Sequence, residues 1–119
     1  MKLRCEPVAD VPDGLAVRLS GNLEVDGATR LWEELTTGVA KDSRFFIFDL
    51  TDVPIVTSAG IGTLVRFLVR LRSSGGAVAI CGCSEKIEEV FSIVMLTDIL
   101  QVCASEEEAR ERLRTIASG

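Results

Sequence analysis

The sequence has no histidine and no tyrosine among its 119 residues. Without histidine a Ser-His-Asp triad cannot be built, and the commonest general base is missing. Basic residues are also scarce: 13 stand against 18 acidic residues, the net charge is −5, and no basic cluster offers a surface for nucleic acid. These absences make a self-contained enzyme and a nucleic-acid-binding protein the least favoured classes of function.

Long apolar runs are absent as well. No segment approaches the roughly 20 apolar residues of a membrane-spanning helix, and the first ten residues, MKLRCEPVAD, lack the apolar core of a signal peptide. We therefore expect a cytoplasmic protein with no direct membrane insertion. A hydrophobic fraction of 47% and a charged fraction of 26% are typical of a globular protein, and the length predicts one domain.

The four cysteines do not form a recognisable metal motif. Cys81 and Cys83 make a C-x-C pair, but no histidine completes a mixed site. Cys5, Cys81 and Cys103 each lie in or beside an apolar run typical of a strand. Reduced cysteine packs as a small apolar side chain. We expect packing roles for these thiols, and neither a metal nor another cofactor.

The apolar pattern predicts the element order β-β-α-β-α-β-α-β-α. Five strands are predicted: Lys2–Val8, Leu15–Ser20, Phe45–Leu50, Ala77–Cys81 and a short final one at Leu100–Cys103. The turn residues Pro12, Asp13 and Gly14 join the first two strands as a hairpin. From residue 44 onwards strands alternate with helices, which predicts parallel pairing.

Start signals mark four helices. The first carries an apolar face that includes Leu31 and Leu35, with Asp26 as the N-cap candidate; the second begins near Ser58. The third is predicted to run from Ser84 to about Met95, and the fourth to begin at a Ser105-x-x-Glu108 capping box.

Four apolar residues close the third helix: Ile93, Val94, Met95 and Leu96. We assign Val94 to the core face of this helix. Ile93, Met95 and Leu96 are assigned to the core too, with an exposed contact patch as the alternative.

The most informative stretch runs from Phe45 to Leu71 and reads as a buried strand, a short loop and an amphipathic helix. Ser58 stands where that helix begins, beside backbone N–H groups that have no partner inside the helix. Serine there is a favoured N-cap, and the same position suits a phosphate. Asp49 and Asp52 flank the loop, but without histidine or a phosphate-binding glycine loop an enzymatic role is improbable, and we expect Asp52 to cap a turn.

Three segments together resemble the STAS family, named for sulfate transporters and anti-sigma-factor antagonists. The residues GNLEVDGATRLWEEL from Gly21 are similar to the pattern G-x-L-[DE]-x-x-x-A-x-x-L, and FIFDLTDVPIVTSAGIGTLV from Phe46 is similar to the family's D-S-[ST]-G-[LI]-G region. The tail MLTDILQVCASEEEA from Met95 resembles the usual family ending. The resemblance covers nearly the whole chain in the right order.

This resemblance implies an α/β fold, with a mixed β-sheet of about four to five strands flanked by about four α-helices, as a single STAS domain over residues 1–119. It also implies an anti-sigma-factor antagonist that binds an anti-sigma factor serine kinase and so releases a sigma factor. In such systems the kinase phosphorylates the serine at the helix start, here Ser58, and a phosphatase resets the switch. The implied partner-binding residues are Glu24, Thr57, Ser58, Ala59, Gly60 and Gly62.

Two positions depart from the family pattern. Thr57 replaces the usual acidic residue, which leaves Thr57 as a second possible phosphate acceptor, and Ala59 replaces a common serine or threonine. Gly60 and Gly62 match the family and let the backbone approach a partner, with a packing role as the alternative. The alternative function is a STAS subunit of a larger signalling assembly or lipid-transport system with no phosphoserine switch. We expect a monomer or a weak dimer.

Overall fold

The computed structural model describes residues 1–96 and 99–119, together with their side chains except that of Val39. Thr97 and Asp98, which belong to the third family-like segment, lie outside the described residues. The elements are β1 (Lys2–Pro7), β2 (Gly14–Ser20), α1 (Val25–Thr37), a 3-10 turn (Val39–Asp42), β3 (Phe45–Asp52), α2 (Ser58–Arg72), β4 (Ala77–Cys81), α3 (Glu85–Ile93) and α4 (Glu106–Ser118). The predicted element order is confirmed up to α3 and again at α4.

The strands form one mixed sheet in the order β1-β2-β3-β4 within the described part of the chain. β1 and β2 pair antiparallel as the predicted hairpin, with Lys2 opposite Ser20 and Pro7 opposite Leu15. β3 pairs parallel with both β2 and β4. A helix makes each parallel connection, because antiparallel strands can be joined by a tight turn but parallel strands cannot.

The predicted fifth strand at Leu100–Cys103 is wrong. Within the described part of the chain, residues 100–103 make no strand, and their β pairing is limited to an isolated bridge between Val102 and Ile80. Gln101, beside this bridge, has a φ of 50°, which is incompatible with an extended strand. The segment instead covers the outer edge of β4, since the Ile80 N–H donates to the Gln101 carbonyl at 3.1 Å.

Helices cover both faces of the sheet. On one face α1, α2 and α3 pack over Phe46 and Phe48, and the ring of Phe67 from α2 meets that of Phe46 edge-on at 4.9 Å. On the other face α4 places Leu113 against Ile47 and Ala79. β3 is therefore buried on both sides, as its continuous apolar run predicts.

The two predicted capping serines of α3 and α4 are confirmed, and the predicted N-cap of α1 is wrong. The hydroxyls of Ser84 and Ser105 accept from the N–H groups of Ile87 and Glu108, at 3.2 and 3.1 Å. Asp26, however, lies inside the first turn of α1. The N-cap is Glu24, and its side chain makes no capping hydrogen bond.

The prediction for the end of the third helix is also wrong. α3 ends at Ile93, and Ile93, Val94 and Met95 are exposed instead of buried, whereas Leu96 is half-buried and packs on the core. Ile93 lies off the face of α3 that buries Ile87 and Phe91, and the φ of 60° at Met95 turns the chain after Val94. None of the described helices is both long and apolar enough to cross a membrane.

Candidate functional site

The segments that precede α1 and α2 lie side by side. Leu23 forms a parallel bridge with Val56; its N–H donates to the Ile55 carbonyl at 2.8 Å, and its carbonyl accepts from the Thr57 N–H at 3.0 Å. These bonds form just beyond the carboxyl ends of the parallel strands β2 and β3. The N-termini of both helices are thereby held together at one edge of the sheet, where α/β proteins commonly bind ligands.

Ser58 is the first helical residue of α2, so the predicted start of this helix is confirmed, but Ser58 is not its N-cap. The N-cap is Thr57, whose side chain makes no capping hydrogen bond. The Thr57 hydroxyl is half-buried and donates to the Leu23 carbonyl at 3.3 Å. The Ser58 side chain is exposed, and its hydroxyl has no hydrogen-bond partner within the described part of the chain.

Gly60 and Gly62 occupy different environments, although the family resemblance implies a partner-binding role for both. Gly60 is buried, and a Cβ atom there would lie 2.6 Å from the carbonyl oxygen of Leu23 and 2.8 Å from its Cγ. Gly62 is exposed, and a Cβ atom there would meet nothing within 4 Å. Gly60 therefore sets the distance between α2 and Leu23, and Gly62 leaves the helix surface flat.

A groove of about 720 Å³ runs between the two helix N-termini. It is lined by Met1, Asn22, Glu24, Val25, Asp26, Gly27, Thr57, Ser58 and Ala59. The structure thus brings together four of the predicted partner-binding residues, with Gly60 beneath them and Gly62 one turn further along α2. The exposed residues Glu24 and Asp26 line the same groove as Ser58, at the start of α1, where the helix dipole favours negative charge.

Sequence reasoning missed Asn22 and the first turn of α1 as parts of this groove. Their position depends on the bridge between Leu23 and Val56, which joins residues 33 positions apart. The available signal was the parallel sheet itself, because successive parallel strands deliver their following helices to the same edge.

Asp49 and Asp52 lie outside this groove, in a separate polar concavity of about 840 Å³. Asp49 accepts from Arg18 at 2.9 Å and from both the N–H and the hydroxyl of Thr51. Partial burial alone would raise the pKa of the Asp49 carboxyl, but the hydrogen bonds from Thr51 and Arg18 outweigh it, so that pKa lies below its ordinary value. Asp49 is therefore an ionised structural partner of Arg18. Asp52 is exposed and accepts from the Gly21 N–H through its backbone carbonyl.

The cysteines are packing groups, as expected. Cys81 and Cys103 are buried between the sheet and α4, and Cys5 and Cys83 pack against the other core. Burial raises the pKa of Cys81 and of Cys83 to about 12, which leaves few thiolates at neutral pH. Among the described residues there is no group of three or more side chains able to hold a metal ion.

The family-model comparison agrees with this architecture, since the STAS domain model matches residues 6–109. The chain belongs to the STAS family. In this STAS protein the predicted α/β fold is thereby confirmed, with a four-stranded sheet in the described residues.

Several proteins similar to this STAS chain are named as anti-sigma factor antagonists. BtrV of Bordetella bronchiseptica is 28% identical over 116 residues, which cover 97% of each chain. A crystal structure from Thermotoga maritima, named in the same way, has a TM-score of 0.85 at 25% identity and covers 94% of each chain.

The anti-sigma factor antagonist SpoIIAA has the same fold, with a TM-score of 0.72 at 20% identity. Its unphosphorylated form covers 95% of this chain and 98% of its own, and its phosphorylated form has also been solved, with the same TM-score. These names describe binding proteins.

Proposed function

We propose that this STAS protein is an anti-sigma-factor antagonist whose phosphorylation at Ser58 switches its binding to an anti-sigma factor serine kinase. The unmodified protein sequesters the kinase and so frees a sigma factor. The observation that carries this proposal is the position of Ser58, exposed and without a hydrogen-bond partner among the described residues, at the edge of the groove between α1 and α2.

Ser58 is the better phosphate acceptor of the two candidates. A kinase must reach the acceptor oxygen from solvent, and Ser58 is exposed whereas Thr57 is half-buried. Phosphate on Thr57 would also remove the hydrogen bond from its hydroxyl to the Leu23 carbonyl. Thr57 therefore has a structural role in the loop. Although Thr57 stands where the family usually has an acidic residue, Ser58 remains the position that the kinase modifies in this proposal.

The effect of the phosphate is electrostatic. It would add a charge of about −1.5 to −2 beside Glu24 and Asp26. In the free protein the first-turn N–H groups of α2 favour an anion, so the fold is retained. In the complex the same charge would be buried against the partner at a high desolvation cost, and binding would be lost. SpoIIAA, which is solved with and without phosphate, has the same fold in both forms as this chain.

The kinase-binding surface in this proposal consists of three groove residues, the exposed Glu24 and Ser58 and the half-buried Ala59, and is extended along α2 by Gly62. Thr57 and Gly60 belong to it indirectly, because they hold the start of α2 against Leu23. A phosphatase that acts on phospho-Ser58 would restore binding.

The first test is mass spectrometry of the protein after incubation with extract of its host and ATP. The tryptic peptide Phe45–Arg66 contains Thr51, Thr57, Ser58 and Thr63. We expect phosphate on Ser58, and none on this peptide in Ser58→Ala. Phosphate on Thr57 would move the switch to that residue. An unmodified peptide, in an extract proven active on a control substrate, would favour the alternative function as a STAS subunit of a signalling or lipid-transport assembly.

The second test measures binding to the kinase that modifies the protein. Ser58→Asp should weaken the complex by about 100-fold or more, because a charge buried in an interface costs several kcal/mol. Ser73→Asp is the matched control, since Ser73 is also exposed but lies at the other end of α2. Equal affinities for the two variants in calorimetry would contradict the proposed switch.

A further inference from the structure

Met95 occupies a backbone position that favours glycine. The N–H of Leu96 donates to the Phe91 carbonyl at 2.9 Å, and the N–H of Met95 donates to the Ser92 carbonyl at 3.0 Å. This pair of bonds is the Schellman motif that closes many helices, in which the residue at the position of Met95 is left-handed and usually glycine. Met95 has a φ of 60°, so it carries a strain that glycine would not.

The strain at Met95 is not offset by burial of its side chain. Met95 is 83% exposed, and its neighbours Ile93 and Val94 are 71% and 45% exposed. We call these three residues the α3 tip. A strained residue that presents an apolar side chain to solvent is explained more readily by binding than by stability.

The surroundings of the α3 tip are acidic. Glu85, Glu88 and Glu89 are exposed on α3, and Glu89 lies one helical turn before Ile93. Lys86 is the single basic residue of this helix. A partner for the α3 tip should therefore offer an apolar side chain that is surrounded by basic side chains.

The outer face of α2 has that chemistry. Val69 is 64% exposed, and it stands among Arg66, Arg70 and Arg72, which are exposed as well. The sequence of α2 contains no acidic residue. The guanidinium of Arg66 lies 4.2 Å from the centre of the Trp32 ring, which holds it on this face. Within the described part of the chain no ion pair joins these arginines to a carboxylate.

We propose that the α3 tip binds the outer face of α2 in a second copy of this chain. Both helices pack on the same face of the sheet, so their outer surfaces point away from it together. A two-fold axis between α2 and α3 would place each tip on the other copy's α2, and both contacts would form at once. Val69 meets the apolar tip, and the arginines meet the glutamates of α3.

This interface is separate from the groove at Ser58. Arg66 follows Ser58 by eight helical residues, which is a distance of roughly 12 Å along the helix axis. Self-association therefore does not depend on the proposed phosphorylation switch. Ser58→Asp should leave it unchanged, so that failure of one proposal is distinguishable from failure of the other.

The test is sedimentation equilibrium of the full chain across a wide range of concentrations. The apolar contact is small, so we expect a dimer with a Kd on the order of 10–100 µM. Because the contact includes opposite charges, the dimer should weaken as salt is raised. The proposal would be overturned if the wild-type chain remained a monomer at 1 mM, a concentration on the order of ten times the upper end of the expected Kd range. Binding of a different protein to the α3 tip would not rescue it.

Met95→Gly separates binding from stability. Loss of the side chain should raise the dimer Kd by at least about 5-fold, whereas relief of the strain should raise the Tm by a few degrees.

A charge exchange gives the second test. Arg70→Glu and Glu89→Arg should each weaken self-association, and a mixture of the two variants should form a heterodimer. A dimer indifferent to all three substitutions would place the contact elsewhere and refute the assignment.

Discussion

Gly60→Ala should destabilise the protein by about 1–3 kcal/mol, because the new methyl group collides with a backbone atom. The Cβ would lie 2.6 Å from the carbonyl oxygen of Leu23, which is itself fixed by the Thr57 N–H at 3.0 Å. α2 would have to move away from Leu23, and the helix propensity gained by alanine offsets only part of this cost. Because Ser58 opens the same helical turn, the displacement should also weaken kinase binding.

Gly62→Ala is the matched control in the same helix. Nothing lies within 4 Å of its Cβ position, so alanine should increase the free energy of unfolding by about 0.5–1 kcal/mol through helix propensity and lower chain entropy. Urea unfolding followed by circular dichroism measures both variants. Equal changes in the two would show that Gly60 does not pack against Leu23 as described.

Arg18→Met should destabilise the protein by about 2 kcal/mol at neutral pH. Arg18 joins four elements, since its guanidinium from β2 contacts Glu6 in β1, Asp49 in β3 and Glu106 at the start of α4. Removal of the guanidinium would leave Asp49 and Glu106 without an ion-pair partner among the described residues, and Glu6 with Arg4 alone. A fully buried network would lose about 3–5 kcal/mol; the partial exposure of Arg18 and its partners reduces that figure.

The loss should depend on pH with a definite sign. The pKa of Asp49 lies below its ordinary value in the folded protein, so its contribution is present at neutral pH and disappears as the pH falls through the folded-state pKa. In Arg18→Met the Asp49 carboxyl lacks its guanidinium partner, so it accepts a proton at higher pH than in the wild-type protein. The difference in stability from wild type should therefore be largest at neutral pH and shrink below about pH 4.

Thermal unfolding at pH 7 and at low pH measures this dependence. Arg4→Met is the control, because Arg4 contacts only Glu6 at 2.8 Å among the described carboxylates and is well exposed, so its loss should be close to neutral. A constant difference between Arg18→Met and wild type across pH would show that packing, and not charge, accounts for the effect.

Local patterns were enough to predict much of this fold. The hairpin follows from the turn residues around Asp13, the double burial of β3 from its unbroken apolar run, and the caps Ser84 and Ser105 from their spacing to the helices they start. These features depend on residues close together in the chain, whose geometry is set by backbone sterics and hydrogen bonds. Ser58 was located correctly near a helix start for the same reason.

Features that depend on contacts between residues far apart in the chain could be identified only from the tertiary structure. Thr57, and not Ser58, became the N-cap because residues 55–57 pair with Leu23, and this pairing also built the groove and buried Gly60. Arg18 pairs with Glu106, which lies 88 positions further along the chain. The α3 tip looked like core by composition, but α3 ends at Ile93 and the chain turns at Met95, and all three residues are exposed.

The sequence by itself determined the class of this protein, its element order and the place of its serine at a helix start, since periodicity and capping are local properties. Only the tertiary structure decided which polar groups share a groove, which glycine is indispensable and which apolar residues face solvent. Those outcomes depend on how distant segments pair and on the direction of the chain after each helix, which no local pattern encodes.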